Sequence, residues 1–481
     1  MTRNNVDDAR IFIAVEGSLG NPLSRFVINR LSKKKNGSSL IEDALLSYCS
    51  TGKTSVLETI KNAPLLALLG IGRAVFGADK KAMQEFFSDP VARRGLVNVI
   101  RSIGKYGINR PFKLVAPFLV VWNYTNACNL RCKHCYQSAS IPLPDELNLD
   151  EKRNIIDQLV ENDVVALAFS GGEPLMAPDF FETASYASHN NMYVTLATNG
   201  TLLTEKTVDK IVKCGVKYIE ISLDAATPEI HDNFRGIEGA WKRTFEGIKN
   251  AVESDEIFVC IASTITQHNF KEVNALIDLA EELGTKRFLA FNFIPTGNAA
   301  NIKDMDLTPV MREELLEILY QRLKKGGFEV MTTAPQFSRV CMSKSKNIIA
   351  AAHFGTYETP DKTHMLADFI GGCGAGRLYC AIQPNGIMTP CVYIPIEVGD
   401  LRTERFIDIW ENSGTLKDLR RRDELLGNCG RCDFKNVCGG CRARAYAYSG
   451  NLNGCDPGCI RNSVGRFANN IYTTSNTYYS S

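Results

Sequence analysis

Between about residues 116 and 327 the sequence alternates six times between a short β-rich run and a helical stretch. Helical segments such as "DELNLDEKRNIIDQLVEN" and "FKEVNALIDLAEELG" separate the β-rich runs. Repeats of this kind predict a parallel sheet with helices packed against it. Periodicity alone favours neither an incomplete barrel nor an open doubly wound sheet. The candidate strands are "PFLVVWNYT", "VVALAFSGG", "MYVTLATNG", "KYIEISLDA", "IFVCIASTIT" and "RFLAFNFIPTG".

Each candidate strand is apolar and then ends in a polar or glycine-rich cluster. In chain order these clusters are "YTNAC", "SGGEP", "TNG", "SLDA", "TITQ" and "PTGN". The carboxyl ends of parallel strands lie on one face of the sheet, where barrel enzymes assemble their active sites. The six clusters therefore predict a single functional site on that face.

The chain contains 16 cysteines, and its N-terminus gives no sign of secretion. The opening "MTRNNVDDARIF" has acidic residues and no apolar core before a cleavage site, which argues against a signal peptide. We therefore expect a cytoplasmic, reducing location, where disulfides are rare. Lys and Arg (55) nearly balance Asp and Glu (53), which gives no reason to expect a nucleic acid partner.

Three thiols follow the first candidate strand in the spacing C-x3-C-x2-C, at Cys128, Cys132 and Cys135. Closely spaced thiolates are soft ligands for zinc or iron–sulfur clusters. A closed zinc site or a fully ligated cubane needs four ligands, and His134 inside the spacing would strain the loop as a fourth. Three thiols thus predict a metal centre with one position open to a small molecule.

The motif "CNLRCKHCY" is similar to the cluster loop of the radical S-adenosylmethionine (radical SAM) enzymes, and the other strand ends match that family in order. The resemblance covers about residues 117–325. It implies an α/β fold with a partial (β/α)6 TIM-type barrel. It also implies a catalytic [4Fe–4S] cluster on Cys128, Cys132 and Cys135, with SAM chelated to its fourth iron.

The same resemblance implies which residues contact SAM. A bound zwitterion needs an anion for its ammonium and a donor for its carboxylate, which Glu173 and Arg235 would supply. Tyr136 would lie beside the adenine, while Ser222 and Asp224 would approach the ribose or the methionyl group. The implied contacts are Tyr136, Gly171, Gly172, Glu173, Asn199, Ser222, Asp224 and Arg235.

Cysteines become frequent again after residue 370, and "CGRCDFKNVCGGC" has the spacing C-x2-C-x5-C-x2-C. This region resembles a SPASM domain, a C-terminal module that holds two auxiliary [4Fe–4S] clusters in many peptide-modifying radical SAM enzymes. Only two residues separate Cys438 from Cys441 where three are usual, so Cys455 is an alternative to Cys441, and a zinc site is an alternative to the clusters. The resemblance implies one cluster on Cys373, Cys380, Cys391 and Cys441, and another on Cys429, Cys432, Cys438 and Cys459.

The motifs divide the chain into five parts. We expect a mainly helical N-terminal extension (1–115), the radical SAM core (116–327), a linker or loop (328–370), the SPASM-like domain (371–466) and a mobile tail (467–481). Neither the apolar "APLLALLGIGRAVFGA" nor the basic, amphipathic "ARRGLVNVIRSIGKYGINR" contains the uninterrupted apolar run of about 18 residues that a spanning helix needs. They leave peripheral membrane contact open beside ordinary packing.

The resemblance implies an enzyme that cleaves SAM reductively to a 5′-deoxyadenosyl radical, which abstracts hydrogen from a substrate. The electron would come from a reductant such as ferredoxin or flavodoxin. Peptide or protein modification is the leading hypothesis, ahead of porphyrin side-chain chemistry in haem biosynthesis and of membrane-lipid modification. The complete set of strand-end motifs disfavours a non-enzymatic iron–sulfur or zinc scaffold. A winged-helix or three-stranded N-terminal module would favour a peptide, and an apolar helix beside the barrel mouth would favour a lipid.

Overall fold

The computed structural model of the chain describes residues 17, 20–34, 38–49, 70, 79–345, 348–351, 354–356 and 364–463. Within these residues the six predicted repeats form six parallel strands that pair in chain order. The predicted α/β fold is therefore confirmed. The strands are β1 (Leu119–Thr125), β2 (Ala166–Gly171), β3 (Tyr193–Thr198), β4 (Val216–Ser222), β5 (Phe258–Ile265) and β6 (Arg287–Asn292).

The strands bury one face against helices and turn the other face toward the barrel interior. On the outer face Trp122 and Phe169 are fully buried and pack with helix residues such as Ile156 and Phe180 in the main hydrophobic core. Local signals set the helix starts: Asn148 and Glu151 form a reciprocal capping box. The helices that follow the strands are Leu149–Glu161, Phe180–His189, Glu205–Lys213, Pro228–Arg235, Ala240–Glu253, Val273–Glu282 and Pro309–Lys325.

Residues 328–370 do not form the linker or loop that we predicted. Strand β7 (Glu329–Thr332) extends the sheet by pairing in parallel with β6. Val330, Met331 and Thr332 are buried, so this short run is part of the barrel wall. The prediction was wrong because a four-residue strand is too short to produce a clear alternation in the sequence. The other elements are helix Gln336–Lys344, a hairpin of β8 (Ile349–Ala351) and β9 (Phe354–Thr356), and helix His364–Ile370.

The C-terminal region joins the same sheet on its opposite side. Strand β10 (Tyr379–Ile382) pairs in parallel with β1, and β11 (Ile387–Thr389) and β12 (Gly399–Asp400) follow antiparallel. The full order is β12-β11-β10-β1-β2-β3-β4-β5-β6-β7, so β7 and β12 are the edges of an open, partial barrel. The helices of this region are Phe406–Asn412, Gly414–Leu419, Gly427–Arg431, Arg442–Ser449 and Ile460–Ser463.

All regular elements described before residue 107 are helices, in agreement with the predicted extension. Asp89 caps the last of them through its carboxylate and the amide of Val91, 2.7 Å away. That helix lies at the amino ends of the strands, where Asn98 donates from Nδ2 to the carbonyls of Ala116 and Asp163, each at 3.1 Å. The helices are Pro22–Leu31, Leu40–Cys49, Lys80–Ser88 and Pro90–Tyr106.

Two predicted segments lie outside the described residues. They are the apolar stretch at 63–78, apart from Gly70, and the tail at 467–481. Among the residues that the structure does describe, none of the helices combines the length and the apolar character needed to cross a bilayer.

Candidate active site

The three thiols of the first motif lie on the loop that follows β1. The amides of Leu130 and Ala139 donate to the Sγ atoms of Cys128 and Cys135, at 3.5 and 3.4 Å. Burial raises the pKa of the Cys132 thiol to about 12, although a nearby cation opposes this rise. Buried thiols of this kind become thiolates when a positively charged metal centre compensates for their charge. The loop is thus suited to hold such a centre.

A cavity of about 1360 Å³ runs through the barrel from these thiols to the N-terminal helices. Ligand pockets typically enclose about 300–1,000 Å³, so this cavity has room for SAM and a large substrate together. Its walls are mostly apolar and come from the inward faces of the strands, such as Val121, Ala168 and Leu289. At the far end Val99 and Ile103 of helix Pro90–Tyr106 line it.

Two glycines at the end of β2 let the chain pass directly under the cysteine loop. The amide of Gly172 donates to the Thr125 carbonyl at 2.8 Å. A Cβ atom on Gly172 would lie 2.1 Å from the carbonyl oxygen of Ala127, and Gly171 has a φ of 115°. No other residue fits this path without moving the backbone. Both glycines line the cavity, as the predicted SAM contacts require.

Glu173 joins the ends of β2 and β3. Its carboxylate accepts hydrogen bonds from the Thr198 hydroxyl at 2.8 Å, the Asn199 amide at 2.8 Å and the Leu175 amide at 3.2 Å. The side chain is fully buried and is not among the residues that line the cavity, and burial raises its pKa to about 7. The predicted contact with a SAM ammonium would use its remaining lone pair and stays a prediction.

The end of β3 is tied to the cysteine loop. The Asn199 amide nitrogen Nδ2 donates to Oδ1 of Asn129 at 2.8 Å, while its Oδ1 accepts from the Thr201 amide at 3.0 Å. Asn199 lines the cavity, as does Ser222 at the end of β4. The sequence had not singled out Asn129, although it lies inside the cysteine motif.

Asp224 and Arg235 form a buried ion pair beside Cys132. Nε of Arg235 donates to Oδ2 of Asp224 at 2.6 Å, and Nη1 lies 3.8 Å from the Cys132 sulfur. Burial alone would raise the pKa of Asp224, but Arg235 and His134 hold it below its ordinary value. Arg235 lines the cavity and Asp224 does not. Asp224 therefore orients the guanidinium instead of facing a ligand.

Tyr136 lines the cavity beside the thiols, and contacts fix both its hydroxyl group and its ring. Its hydroxyl donates to Oδ1 of Asn123 at 2.8 Å, and its ring meets the edge of Tyr393 with centroids 5.0 Å apart. The loop after β6, which contains Gly297, packs closely against the backbone of Tyr136. A Cβ atom on Gly297 would lie only 2.3 Å from the carbonyl oxygen of Tyr136. Sequence reasoning missed Tyr393, although it lies two residues after the predicted ligand Cys391.

A second thiol group opens onto the same cavity from the C-terminal region. Cys373, Cys391 and Cys441 pack in one cluster and line the cavity wall. The Tyr379 hydroxyl donates to the Cys391 sulfur at 2.9 Å. The amide of Arg444 donates to the Cys441 sulfur at 3.4 Å. The structure thus places Cys441 in the predicted group.

Cys380 does not join this group, so its predicted ligand role is wrong. It follows Tyr379 on strand β10, and successive side chains of a strand point to opposite faces. Tyr379 faces Cys391, and Cys380 consequently faces the main hydrophobic core, where it is fully buried with Trp410. Spacing along the chain could not distinguish these two faces.

A third thiol group consists of Cys429, Cys432, Cys438 and Cys459, which line one small cavity; their ligation of one cluster stays a prediction. Amide donors reach the sulfurs of Cys429 and Cys438 at 3.5 and 3.3 Å. Cys455 lies beside Cys429, and a hydrogen bond between the two lowers the pKa of Cys455. Cys455 thus belongs near this third group and does not replace Cys441.

Comparison with known proteins identifies the family. Residues 122–280 match the radical SAM superfamily, and residues 373–433 match an iron-sulfur cluster-binding domain, SPASM. The AdoMet-dependent heme synthase of Methanosarcina barkeri is 37% identical over 347 residues, covering 72% of this chain and 97% of that protein. The chain belongs to the radical SAM superfamily.

Two further radical SAM comparisons bear on this chain. The mycofactocin maturase MftC of Mycobacterium tuberculosis is 29% identical over 357 residues, which cover 72% of this chain and 84% of that protein. The crystal structure of Streptococcus suis SuiB bound to its precursor peptide SuiA superposes with a TM-score of 0.60 at 17% identity, covering 89% of this chain and 93% of that one. The second similarity shows a shared fold.

This radical SAM protein is an enzyme, and its cofactors are iron–sulfur clusters and SAM. The side chains around the C-terminal thiols are suited to iron–sulfur clusters. Arg377 and Arg422 are buried next to the thiols, and within the described residues neither forms a salt bridge with a carboxylate. A buried cation needs a compensating anion, which a thiolate-ligated cluster supplies. Within the described chain, no three His, Cys, Asp or Glu side chains converge closely enough to hold a single metal ion.

We expect Cys441→Ser to lower the iron content by about one cluster, or about four iron atoms per chain, because it leaves two thiols at the second group. Cys380→Ala should keep the full iron content, since its thiol faces the core. Iron and sulfide per chain after anaerobic reconstitution measure both effects. A loss of iron in Cys380→Ala equal to that in Cys441→Ser would contradict the placement of Cys380.

Proposed function

We propose that this enzyme binds SAM at the loop of Cys128, Cys132 and Cys135 and abstracts a hydrogen atom from a large substrate of the tetrapyrrole class, whose macrocycle is apolar. The observation that supports this most directly is the apolar cavity that joins the loop, the second thiol group and the N-terminal helices. A site of this size and polarity suits a substrate that buries most of its surface.

The three loop thiols would hold the catalytic cluster, which when bound and reduced supplies the electron that splits SAM into methionine and a 5′-deoxyadenosyl radical. Arg235, oriented by Asp224, would donate hydrogen bonds to the SAM carboxylate. Gly171 and Gly172 would let the backbone approach the methionyl group. Ser222 would meet the ribose and Tyr136 the adenine.

The substrate would occupy the barrel below SAM. A strand of six residues spans about 20 Å, so the lumen is long enough for a macrocycle beneath the SAM site. Apolar side chains close its lower end, including Phe118 and Ile103. Their burial would favour an apolar ligand and would keep water from the radical.

Sequence relatives support the tetrapyrrole class. Besides the Methanosarcina barkeri protein, the AdoMet-dependent heme synthase of Oleidesulfovibrio alaskensis is 34% identical over 343 residues. Porphyrin side-chain chemistry, the second of the hypotheses from sequence, therefore has the more similar relatives.

The second thiol group would hold an auxiliary cluster beside this substrate. Cys373, Cys391 and Cys441 would ligate three of its irons, and they line the same cavity as the catalytic thiols. The third group would hold a further cluster nearer the surface, where a reductant such as ferredoxin or flavodoxin could exchange electrons with it. This arrangement would let an electron leave a substrate radical without solvent contact.

Peptide modification is the second candidate function, because the maturase MftC is 29% identical over most of its length. The regular elements described before residue 107 are all helices, so they do not give the strand-containing recognition module that would favour a peptide. The face of helix Pro90–Tyr106 that lines the cavity is apolar, which a lipid substrate would favour. The helix lies at the amino end of the barrel, however, and is therefore away from the catalytic loop. Modification of a lipid is kept as one outcome of the test below.

The test is anaerobic incubation of the reconstituted enzyme with SAM and dithionite. Fe-coproporphyrin III, a host peptide fraction and a host lipid extract are supplied in separate reactions. We expect the porphyrin to stimulate 5′-deoxyadenosine formation and to change mass, with deuterium passing from its labelled side chains into 5′-deoxyadenosine. Stimulation and product formation with the peptide or the lipid alone would contradict the tetrapyrrole assignment and identify the substrate class instead.

A further inference from the structure

Arg422 lies between the second and third thiol groups and touches both. Its Nη2 donates to the carbonyl oxygen of Cys373 at 2.7 Å. On its other side it packs against the turn that links Cys438 to Cys441, where a Cβ atom on Gly439 would lie 2.3 Å from Nη1 of Arg422. Gly439 has a φ of 66°, so the turn is built to let the guanidinium approach.

The guanidinium is buried and incompletely paired. Arg422 is 4% exposed, and its Nε and Nη1 atoms have no hydrogen-bond partner among the described residues. Burial lowers its pKa and the neighbouring cation Arg442 acts in the same direction, while the thiols of Cys373, Cys438 and Cys429 act in the opposite direction. The groups that favour the charged form of Arg422 are thus thiols from both groups.

A cation that is buried without an anion is strongly destabilising, so an anionic group belongs beside it. Thiolate-ligated [4Fe–4S] clusters are anionic, and each gains one more negative charge on reduction. The free N–H groups of Arg422 would meet the sulfurs of such clusters.

We infer that Arg422 is a shared electrostatic partner of the two auxiliary clusters, which favours the reduced form of each by its charge and its hydrogen bonds. This inference rests on the presence of both auxiliary clusters and is independent of the substrate. Positive charge and N–H donors near a cluster raise its reduction potential. One cation placed between two clusters also lowers the repulsion between them when both are reduced.

The test is a redox titration of the auxiliary clusters by electron paramagnetic resonance. Full-length protein carrying Cys132→Ala, which removes the catalytic cluster signal, is compared with the same protein carrying Arg422→Gln, Arg422→Lys or Arg421→Gln. Arg421 is the matched control, because it is half-exposed and pairs with Asp418 and Glu424 at the surface. Iron per chain is measured in every sample.

We expect Arg422→Gln to reduce the equilibrium constant for reduction of each auxiliary cluster about tenfold, which corresponds to about 59 mV for a one-electron couple. Arg422→Lys should recover part of the shift, and Arg421→Gln should show none. Unchanged potentials, or a shift confined to one cluster, would overturn the shared role. If Arg422→Gln loses auxiliary iron, retention of that iron in Arg422→Lys supports the need for the charge, and equal loss in both variants overturns it.

Discussion

Cys132→Ala abolishes the formation of 5′-deoxyadenosine from SAM, by about a thousandfold or more, while the iron of the auxiliary sites stays in place. This is the result we expect, because the variant leaves two thiols on the loop and removes the sulfur next to Arg235. A cluster that lost this ligand would no longer be held against SAM. The measurement is 5′-deoxyadenosine by chromatography after anaerobic incubation with SAM and dithionite, together with iron per chain.

Cys214→Ala is the control for the loss of a thiol. Cys214 is buried in the outer core, where its sulfur lies 3.1 Å from the Ile211 carbonyl, and it belongs to none of the three thiol groups. SAM cleavage in this variant should match that of the unmodified enzyme. Full SAM cleavage by Cys132→Ala would contradict the assignment of the catalytic site.

Asp224→Ala should lower the free energy of unfolding by about 3–5 kcal/mol, because it leaves the Arg235 guanidinium buried without its anion. SAM cleavage should also fall, since Arg235 loses its orientation. The pKa of Asp224 is lower in the folded state than its unfolded value of about 3.9, so this stability is present at neutral pH and is lost as the pH falls through the acid range. Urea unfolding of the metal-free protein at pH 7 measures the change.

Two variants test whether the ion pair is the cause. Glu229→Ala alters an acidic residue in the first turn of helix Pro228–Arg235 and should change stability by less than about 0.5 kcal/mol. The double variant Asp224→Ala with Arg235→Leu removes both charges and should recover much of the lost stability. If the double variant loses as much stability as Asp224→Ala and Arg235→Leu lose in sum when measured singly, the ion pair is not the cause of the loss.

The sequence predicted the barrel because its signals are local. Six apolar runs, each followed by polar residues, match the six parallel strands, and the ends of those strands meet around one cavity. The pairing of β10 with β1 could not be predicted in the same way. It joins Val120 to Cys380, residues far apart in the chain, and depends on packing of the whole C-terminal region. Strand β7 was missed because four residues carry too little pattern.

The sequence predicted which residues belong to the site better than it predicted how they are arranged. Motif spacing singled out the three loop thiols as metal ligands, and the resemblance to the radical SAM family added Arg235, Tyr136 and Ser222, which line the cavity. It could not tell that Asp224 lies behind Arg235, because burial is a property of the folded chain. It also placed Cys380 in a ligand group, although the alternation of Tyr379 and Cys380 within "YCAI" could have indicated opposite faces once a strand was recognised there.

The pairing of β10 with β1 has a consequence for how this protein can be divided. Backbone hydrogen bonds, not a hinge, attach the cysteine-rich region to the barrel, so the two cannot swing apart as separate bodies during a reaction cycle. A chain cut before residue 371 would expose the bare amide and carbonyl groups along β1, a template for strand addition by another molecule. Truncation before residue 371 should therefore cause the protein to aggregate. The barrel and the cysteine-rich region are best treated as one folding unit.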